Sequence, residues 1–330
     1  MSQLGVSLVV PNYNGRDLLL KNIPTLLAAA ETYPGPAEVV VVDDGSADDS
    51  VEVMRSQLGG ARLVVHPQNR GFGPACKTGV EAAGHPIAIL LNSDVTVEPD
   101  FVGPLVTHFE RDAEVFSVSP LILDNAGAPS GVTVNLPSVR RGELKWKGVD
   151  PQDLLALAKL PAEVALEIPS LFGLGGAVAL VRERFLALGG FDPMYEPFYH
   201  EDVDLGLMAW RRGWKVLVEP RSKVTHEDGG TIGKHFQPYR VKVLRRRHRI
   251  LCNWKHAEGA WRSGLWKGTL VRFLTRWAKL DFRWYAAWFK ARKKRAEADA
   301  ARERELAATT VPLAQVFPQI VAAWPPAQLR

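Results

Sequence analysis

Apolar runs in the first 120 residues alternate with segments whose apolar positions recur every three or four residues. Uninterrupted apolar runs, such as 39–42 and 87–91, are typical of parallel strands that are covered on both faces. The pattern predicts strands at 6–10, 38–42, 62–66 and 87–91, and helices at 16–31, 47–58, 74–83 and 99–111. This alternation predicts an α/β fold with a mostly parallel central sheet and flanking helices.

The pattern weakens after residue 119, where Gly, Pro and polar residues predict loops and a small insertion through about residue 161. It becomes regular again at 171–181, and it predicts a helix at 201–212 and a strand at 215–218. Beyond residue 235 the chain turns basic and rich in Trp. We therefore expect a domain at 1–235 and a helical C-terminal region at 236–330, with a weakly ordered tail from residue 312.

The composition is that of an ordinary globular protein, with 46% hydrophobic and 23% charged residues among 330. Cys76 and Cys252 have neither metal-binding nor redox spacing, which favours a reducing compartment. The amino terminus has no basic region and long apolar stretch of the secretory type, and no apolar run is long enough to span a bilayer. We therefore expect a cytoplasmic location.

The positive charge of the chain is concentrated in its C-terminal region. The net charge is +5, but residues 240–295 contain 18 Lys and Arg against two acidic residues. An apolar stripe at helical spacing crosses this segment, formed by Trp266, Leu270, Phe273, Trp277, Leu280, Trp284 and Trp288. The basic residues on the other side of such a helix are Arg272, Arg276, Lys279, Arg283 and Lys290.

A Trp-rich apolar face backed by Lys and Arg is typical of a helix that lies on an anionic membrane surface. The alternative is a helix packed on the rest of the chain or on a second subunit. The basic run at 245–249 also has the charge to contact nucleic acid. No nucleic-acid-binding motif accompanies it, so we expect an anionic membrane as the partner and no nucleic acid.

Acidic and amide side chains follow two of the predicted strands. Asp43 and Asp44 follow the second strand, and Asn92, Ser93 and Asp94 follow the fourth. In open α/β sheets, ligands bind outside the carboxyl ends of the strands. An Asp at the end of an apolar strand is costly unless it is paired or bound to a metal, and Mg²⁺ or Mn²⁺ suits such a position. Turn and helix-cap chemistry is the alternative interpretation.

Two further segments have donors that suit a nucleotide. Pro11, Asn12 and Tyr13 end the first strand, where amide groups can hydrogen-bond a base or ribose, or simply cap the next helix. Residues 69–73 form a Gly-rich loop before a helix that carries Lys77, and such loops contact phosphates. A plain Gly-rich turn is the commoner meaning of this second pattern.

Glu201 and Asp202 open the predicted helix at 201–212, directly after a cluster of aromatic residues. Carboxylates favour helix amino termini through the helix dipole alone. Apolar walls beside a carboxylate also raise its pKa, as a general base requires. His226 follows the strand at 215–218 after a short loop, in an order that suits a further metal contact, although a lone His is more often structural.

These segments, taken in order, resemble the inverting GT-A glycosyltransferases of family 2, especially the bacterial rhamnosyltransferase-like members. The resemblance covers about residues 4–256. The motifs that carry it are VVPNYN at 9–14, VVDDGS at 41–46, NRGFG at 69–73, LNSD at 91–94, GFD at 190–192 and EDVDL at 201–205.

The resemblance implies a GT-A fold for residues 1–235 and a role for each motif. The residues assigned to the nucleotide donor are Pro11, Asn12, Tyr13, Asp43, Asp44, Asn69, Gly71, Lys77, Asn92 and Ser93. Asp94 and His226 would hold Mg²⁺ or Mn²⁺, and Asp202, rather than Glu201, would be the catalytic base. Lys77 stands where relatives usually have Asn, and the metal motif keeps one certain acid, Asp94.

The resemblance also implies partners and a location. The donor would be a dTDP- or UDP-linked sugar, and the acceptor a lipid-linked glycan or polysaccharide of the cell envelope. Synthesis would take place at the cytoplasmic face of the membrane, with the protein attached peripherally.

Two other functions share some of these features. A sugar nucleotidyltransferase has a similar sheet but normally has a basic, Gly-rich loop after its first strand, and Asn12 and Tyr13 argue against it. A non-catalytic scaffold that binds nucleotide sugar or glycan at the membrane is favoured only by Lys77. The presence of Asp94 together with Glu201 and Asp202 favours the enzyme.

Overall fold

The computed structural model describes residues 3–226 and 237–329. Within this part of the chain, the main sheet has eight strands in the order β3-β2-β1-β4-β9-β6-β10-β5. The strands are β1 (Val6–Asn12), β2 (Ala37–Asp43), β3 (Arg62–Val65), β4 (Ile87–Leu91), β5 (Val95–Val97), β6 (Val115–Leu123), β9 (Ala177–Val181) and β10 (Lys215–His226).

The sheet is mostly parallel, as predicted. The pairs β1 with β2, β1 with β4, β2 with β3, and β6 with β10 are parallel. Strand β9 runs antiparallel between β4 and β6, and β5 runs antiparallel to β10. Parallel pairing brings the carboxyl ends of β1, β2 and β4 to one edge, with Asn12 opposite Asp43.

Helices cover both faces of the sheet, because its central strands are apolar on both sides. The helices of this part are α1 (Arg16–Thr32), α2 (Ser50–Ser56), α3 (Phe72–Ala82), α4 (Val102–Arg111), α6 (Arg182–Ala187) and α7 (Glu201–Arg211). Buried residues of α1, α2 and α4 form one apolar layer with the sheet. Those of α3 and α7 belong to the other layer.

The stretch at 119–161, predicted to be loops with a small insertion, has more regular structure than expected. It contains the hairpin of β7 (Leu136–Arg140) and β8 (Glu143–Lys147), followed by α5 (Pro151–Leu157). The hairpin turn places Arg141 at φ 51° and Gly142 at φ 67°. Two successive positive φ angles are typical of a type I′ turn, whose first central residue is usually Asn, Asp or Gly. Because Arg141 takes that position here, the sequence pattern did not predict the turn.

The C-terminal region shares an apolar core with the sheet. Its helices are α8 (Pro238–His256), α9 (Gly259–Ala278), α10 (Phe282–Lys293), α11 (Arg295–Ala307) and α12 (Leu313–Ala322). The predicted weakly ordered tail is wrong over α12, where Leu313, Val316 and Ile320 are buried in that core. The domain boundary predicted near residue 236 lies outside the described residues.

The predicted apolar stripe at 266–288 does not lie on one helix. Leu280 has a φ of 51° between α9 and α10, so the chain turns there. The rings of Trp284 and Trp288 pack on Phe273, with centroids 4.9 and 4.8 Å away. The rest of the stripe is exposed, as is Leu274, which the predicted stripe did not include. We call Trp266, Leu270, Leu274, Trp277 and Leu280 the α9 patch. None of the helices in the described ranges has the length and apolarity to cross a bilayer.

Candidate active site

The ends of β1 and β2 are tied together through Asp43. Its buried carboxylate accepts hydrogen bonds from Asn12 Nδ2 at 2.9 Å and from the Ser46 hydroxyl at 2.7 Å. The backbone amide of Ser46 donates to the other carboxylate oxygen at 2.9 Å. Asp43 therefore fixes the shape of both loops. The Tyr13 ring beside them is 40% exposed and open to a ligand.

Asp44 holds the Gly-rich loop in place. Its carboxylate accepts hydrogen bonds from the backbone amides of Arg70 at 3.0 Å and Gly71 at 2.8 Å, and lies 2.7 Å from His66 Nδ1. Asn69, just before these amides, is exposed. The carboxylate of Asp44 thus has protein partners, and its contact with a nucleotide stays a prediction.

The loop after β4 meets the loop after β1. The backbone carbonyl of Ser93 accepts a hydrogen bond from Asn22 Nδ2 at 2.8 Å. A Cβ placed on Gly15 would lie 3.6 Å from Ser93 Oγ and 2.3 Å from Asn12 Oδ1, so only glycine fits there without displacement. The first and fourth strand ends, predicted separately from the sequence, are therefore neighbours.

Asp94 and His226 form a pair at the same edge. Asp94 Oδ1 lies 3.2 Å from His226 Nε2, and the Asp94 side chain is buried. The predicted short loop before His226 is wrong, because β10 continues to His226, which lies opposite Val95 of β5. Antiparallel pairing with β5 thus places the His226 imidazole beside Asp94, the residue that precedes Val95.

This pair fits a divalent cation with a partly open shell. A carboxylate oxygen and an imidazole nitrogen are suitable ligands for Mn²⁺, and Mg²⁺ typically takes one or two protein carboxylates with phosphate and water. Within the ranges 3–226 and 237–329, no group of three or more His, Cys, Asp or Glu side chains is arranged as a metal cage. Among the described residues, Asp94 and His226 are thus the protein ligands that such a cation would have, and substrate phosphates and water suit its other positions.

Two glycines that the sequence analysis did not single out connect this pair to the acidic helix. The backbone amide of Asn92 donates to the Gly176 carbonyl at 2.9 Å, and a Cβ on Gly176 would lie 3.0 Å from Asn92 Nδ2. Gly175 packs against Asp202, since a Cβ on Gly175 would lie 3.7 Å from the Asp202 Cβ. The signal was present as Gly173-Leu174-Gly175-Gly176 before an apolar strand.

Glu201 and Asp202 begin α7 in a largely buried position. Burial raises the pKa of both carboxyl groups, and the charge of Asp202 raises that of Glu201 further. Asp202 Oδ1 accepts a hydrogen bond from the backbone amide of Val203 at 2.8 Å, which partly offsets the effect of burial. A carboxylate with a raised pKa is a stronger proton acceptor than an exposed one.

The backbone just before these acids is strained. Tyr199 and His200 have φ angles of 75° and 79°, a region that bulky residues rarely adopt. The Arg245 guanidinium lies 4.1 Å from the centre of the Tyr199 ring, and the His200 ring packs against Trp146. Such strain commonly accumulates at functional sites, where the surrounding packing maintains it.

Two basic side chains of the C-terminal region contact Asp204 in the first turn of α7. The Lys255 ammonium lies 2.7 Å from Asp204 and 2.8 Å from Asp192, and His256 Nε2 lies 2.7 Å from Asp204. Burial alone would raise the pKa of Asp204, but Lys255 and His256 outweigh it and lower that pKa to about 2. Sequence analysis missed Lys255, because it is one of many basic residues in that region.

Lys77 lies on another side of the acidic pair. It lines a cavity of about 280 Å³ together with Arg70, Phe191 and Glu201. Of the predicted donor-binding residues, Lys77 is the one that lines this cavity. The structure thus brings Glu201 and Lys77 to one cavity, which Asn12, Asp43 and Asp94 at the ends of β1, β2 and β4 do not line.

The chain matches known proteins over the segments described above. Residues 7–131 match the family "Glycosyl transferase family 2". The N-acetylglucosaminyl-diphospho-decaprenol L-rhamnosyltransferase of Mycobacterium tuberculosis is 27% identical over 222 residues, which span 60% of this chain and 69% of that protein.

Two solved structures have the same fold. GalNAc-T7 with UDP, GalNAc and Mn²⁺ superposes with a TM-score of 0.55 at 20% identity, covering 76% of this chain and 47% of that one. The mannosyltransferase PcManGT from Pyrobaculum calidifontis, with GDP-Man and Mn²⁺, gives 0.51 at 17% identity, covering 100% and 83%.

These matches confirm the predicted GT-A fold and the resemblance to bacterial rhamnosyltransferases. Residues 7–131 therefore match glycosyl transferase family 2, and the chain is a glycosyltransferase.

Proposed function

We propose that this enzyme transfers a sugar from a nucleoside diphosphate to an acceptor hydroxyl with inversion at the anomeric carbon. The observation that carries the proposal is that a short series of contacts links two acidic sites, one at Asp94 and one at Asp202. Asp94 pairs with His226 at the strand ends, and the amide of nearby Asn92 bonds to Gly176, whose neighbour Gly175 packs against Asp202. A diphosphate held at the first site would place its sugar near the second.

The nucleotide would bind at the ends of β1 and β2. Pro11, Asn12 and Tyr13 would contact the base and ribose, with Asp43 holding the loop that presents them. Asn69, Gly71, Asn92 and Ser93 would contribute through their exposed groups and backbone amides. Asp44 would act by fixing the Gly-rich loop rather than by direct contact.

Asp94 and His226 would hold Mg²⁺ or Mn²⁺. When bound, such a cation offsets the negative charge that develops on the departing diphosphate. The two side chains are already 3.2 Å apart, so holding the cation requires little rearrangement of the protein.

Asp202 would be the general base. The acceptor oxygen attacks the anomeric carbon as the bond to the diphosphate oxygen breaks, and the hydroxyl proton passes to Asp202. One displacement of this kind inverts the anomeric configuration. Because burial raises the pKa of Asp202, its carboxylate has a greater affinity for that proton than an exposed Asp has.

The mycobacterial relative suggests the substrates. Its name specifies rhamnosyl transfer to a glycan on a polyprenyl diphosphate, so we propose a dTDP- or UDP-linked sugar such as rhamnose, and a lipid-linked or polysaccharide acceptor. The product would belong to the cell envelope, and transfer would take place on the cytoplasmic side of the membrane.

The α9 patch would attach the enzyme to the membrane that carries such an acceptor. Four of its residues, Trp266, Leu270, Leu274 and Trp277, follow one side of α9 at spacings of three and four, and Trp277 is 70% exposed. Exposed basic residues near it are Lys267, Lys279, Arg283 and Lys290. Exposed Trp and Leu beside Lys and Arg suit insertion among anionic headgroups.

The test is calorimetric titration of the full chain with UDP, dTDP and GDP, with and without Mn²⁺, followed by turnover of the matching sugar nucleotides. Polyprenyl-diphospho-N-acetylglucosamine serves as the acceptor probe. Metal-enhanced binding of one diphosphate and transfer of its sugar support the proposal. Binding without any turnover, with acceptor or with water, would instead favour the non-catalytic scaffold.

A further inference from the structure

The cavity that Lys77 and Glu201 line lies beside the acidic pair, between α3 and the loop at 189–198. Its volume of about 280 Å³ is near the lower end of the range for small-molecule sites, about 300–1,000 Å³, and suits a ligand of monosaccharide size. Its lining includes Phe72, Lys77, Glu81, Phe191, Phe198 and Glu201. Pro11, Asp43, Asn92 and Asp94, which belong to the proposed nucleotide site, do not line it.

The charges along this cavity do not favour an anion. Lys77 Nζ lies 4.0 Å from Glu81 Oε1, so part of its charge is offset by its neighbour on α3. Arg70 is the other cation of the lining, which also contains the acidic residues Asp192 and Glu196. A phosphate would therefore meet carboxylates as well as cations. Hydroxyl groups suit such a mixture, because they donate to carboxylates and accept from an ammonium group.

Aromatic rings provide the apolar part of the wall. Phe72 and Phe191 are stacked with centroids 5.8 Å apart and planes at 23°, and Phe198 lies further along the loop. A pyranose ring has an apolar face of C–H groups and a rim of hydroxyls. Rings with nearby carboxylates therefore match a sugar better than they match a lipid chain or a diphosphate.

Glu201 connects this cavity to the reaction centre. Its Oε2 atom is buried and has no hydrogen-bond partner within the described ranges. An unsatisfied buried oxygen is costly, and rotation of the carboxyl group into the cavity that Glu201 lines would let a ligand hydroxyl satisfy it. Its chain neighbour Asp202 lies on the side of Gly175 and Asn92.

We infer that this cavity binds a neutral sugar unit of the acceptor, with Glu201 bonded to one of its hydroxyls and Lys77 and Glu81 bonded to others. The inference rests on the proposed function, since Asp202 beside Glu201 would take the proton from the hydroxyl that reacts. Lys77 thereby contributes to acceptor recognition instead of phosphate binding.

The test is saturation-transfer NMR on the full chain with methyl β-D-glucoside, methyl β-D-N-acetylglucosaminide and glucose 1-phosphate. Irradiation of aromatic protons should saturate the ring protons of at least one neutral glycoside, and the phosphate ester should bind more weakly. The double variant Lys77→Gln/Glu81→Gln should weaken that glycoside about fivefold, the effect of losing one or two hydrogen bonds.

The matched control is Lys294→Gln/Glu297→Gln, which removes another exposed ion pair of a helix, 3.3 Å long and outside this cavity. It should leave glycoside binding unchanged. No transfer to either neutral glycoside, tighter binding of glucose 1-phosphate, or equal binding by the Lys77→Gln/Glu81→Gln variant would overturn the inference. Calorimetry with nucleoside diphosphates on the same samples separates the two proposals. A protein that binds a neutral glycoside but no nucleoside diphosphate would refute the proposed function and leave the sugar-binding cavity in place.

Discussion

The ammonium group of Lys255 lies 2.7 Å from the carboxylate of Asp204, and both side chains are almost fully buried. Lys255 is near the end of α8, whereas Asp204 is in the first turn of α7, three residues after Glu201. The same ammonium also contacts Asp192, in the loop that lines the cavity beside Lys77. One basic side chain of the C-terminal region thus holds two parts of the catalytic region.

Replacing Lys255 should destabilise the fold strongly. Lys255→Met leaves Asp204 buried without its main counter-ion, and removal of one partner of a buried pair typically costs about 3–5 kcal/mol. Urea unfolding measures the change in the free energy of unfolding. Lys290→Met, at an exposed position of α10, is the control and should change it by less than about 0.5 kcal/mol. Similar values for the two variants would contradict this account.

Asp202→Asn should lower turnover by about 10²–10⁴-fold, the usual contribution of a general base. The variant keeps the shape of the side chain, so binding of the nucleoside diphosphate should stay close to that of the parent. Glu201→Gln is the comparison, and its main effect should be on the KM for acceptor. The reverse pattern, with the larger loss of kcat in Glu201→Gln, would make Glu201 the base.

The pH dependence of kcat/KM should reflect the buried base. Asp202 accepts a proton only when it is ionised, and burial raises its pKa, so activity should fall as the pH drops through that raised pKa. The midpoint should therefore lie above about 4, the ordinary value for Asp. Diphosphate binding, measured by calorimetry over the same range, should not follow this curve. An acidic limb at or below pH 4 would argue against a buried base.

Asp94→Asn should abolish the enhancement of diphosphate binding by Mn²⁺. The change removes the negative charge of the proposed ligand but keeps its size, so the protein should remain folded. Binding of the nucleoside without phosphates should be unchanged, because its contacts would lie at the ends of β1 and β2. His226→Gln should have a smaller effect in the same direction. Retained Mn²⁺ dependence in Asp94→Asn would remove this residue from the metal site.

Trp277→Ser/Leu274→Ser should weaken sedimentation with vesicles that contain phosphatidylglycerol. Both side chains are about two-thirds exposed, so the double variant should not lose stability. Val65→Ser, at an exposed apolar position on β3, is the matched control and should bind as the parent does. Vesicles of pure phosphatidylcholine should bind all three proteins weakly. Equal binding of parent and double variant to anionic vesicles would exclude the α9 patch as the attachment surface.

The sequence was most informative where chemistry and periodicity coincide. The strand ends at Asn12, Asp43 and Asp94 follow apolar runs, and a parallel sheet necessarily brings such ends to one edge. Long-range partners were harder to predict. The pairing of Lys255 with Asp204 spans 51 residues, and Lys255 has no local pattern that separates it from the other basic residues of the C-terminal region.

Backbone conformation caused two further errors. Arg141 and Leu280 adopt positive φ angles that their residue types do not predict, so a hairpin turn and the break between α9 and α10 were both missed. The break divides the predicted stripe into a buried part near Trp284 and the exposed α9 patch. Periodicity predicts which residues share a helical face only while the helix continues.

The pairing of β5 with β10 has a consequence for variation in this chain. His226 lies opposite Val95, and side chains alternate between the two faces of a strand. Deleting one residue from the last part of β10 would turn the imidazole away from Asp94, even though both residues remained in the sequence. The pairing of Asp94 with His226 is therefore sensitive to the length of a strand as well as to the identity of two side chains.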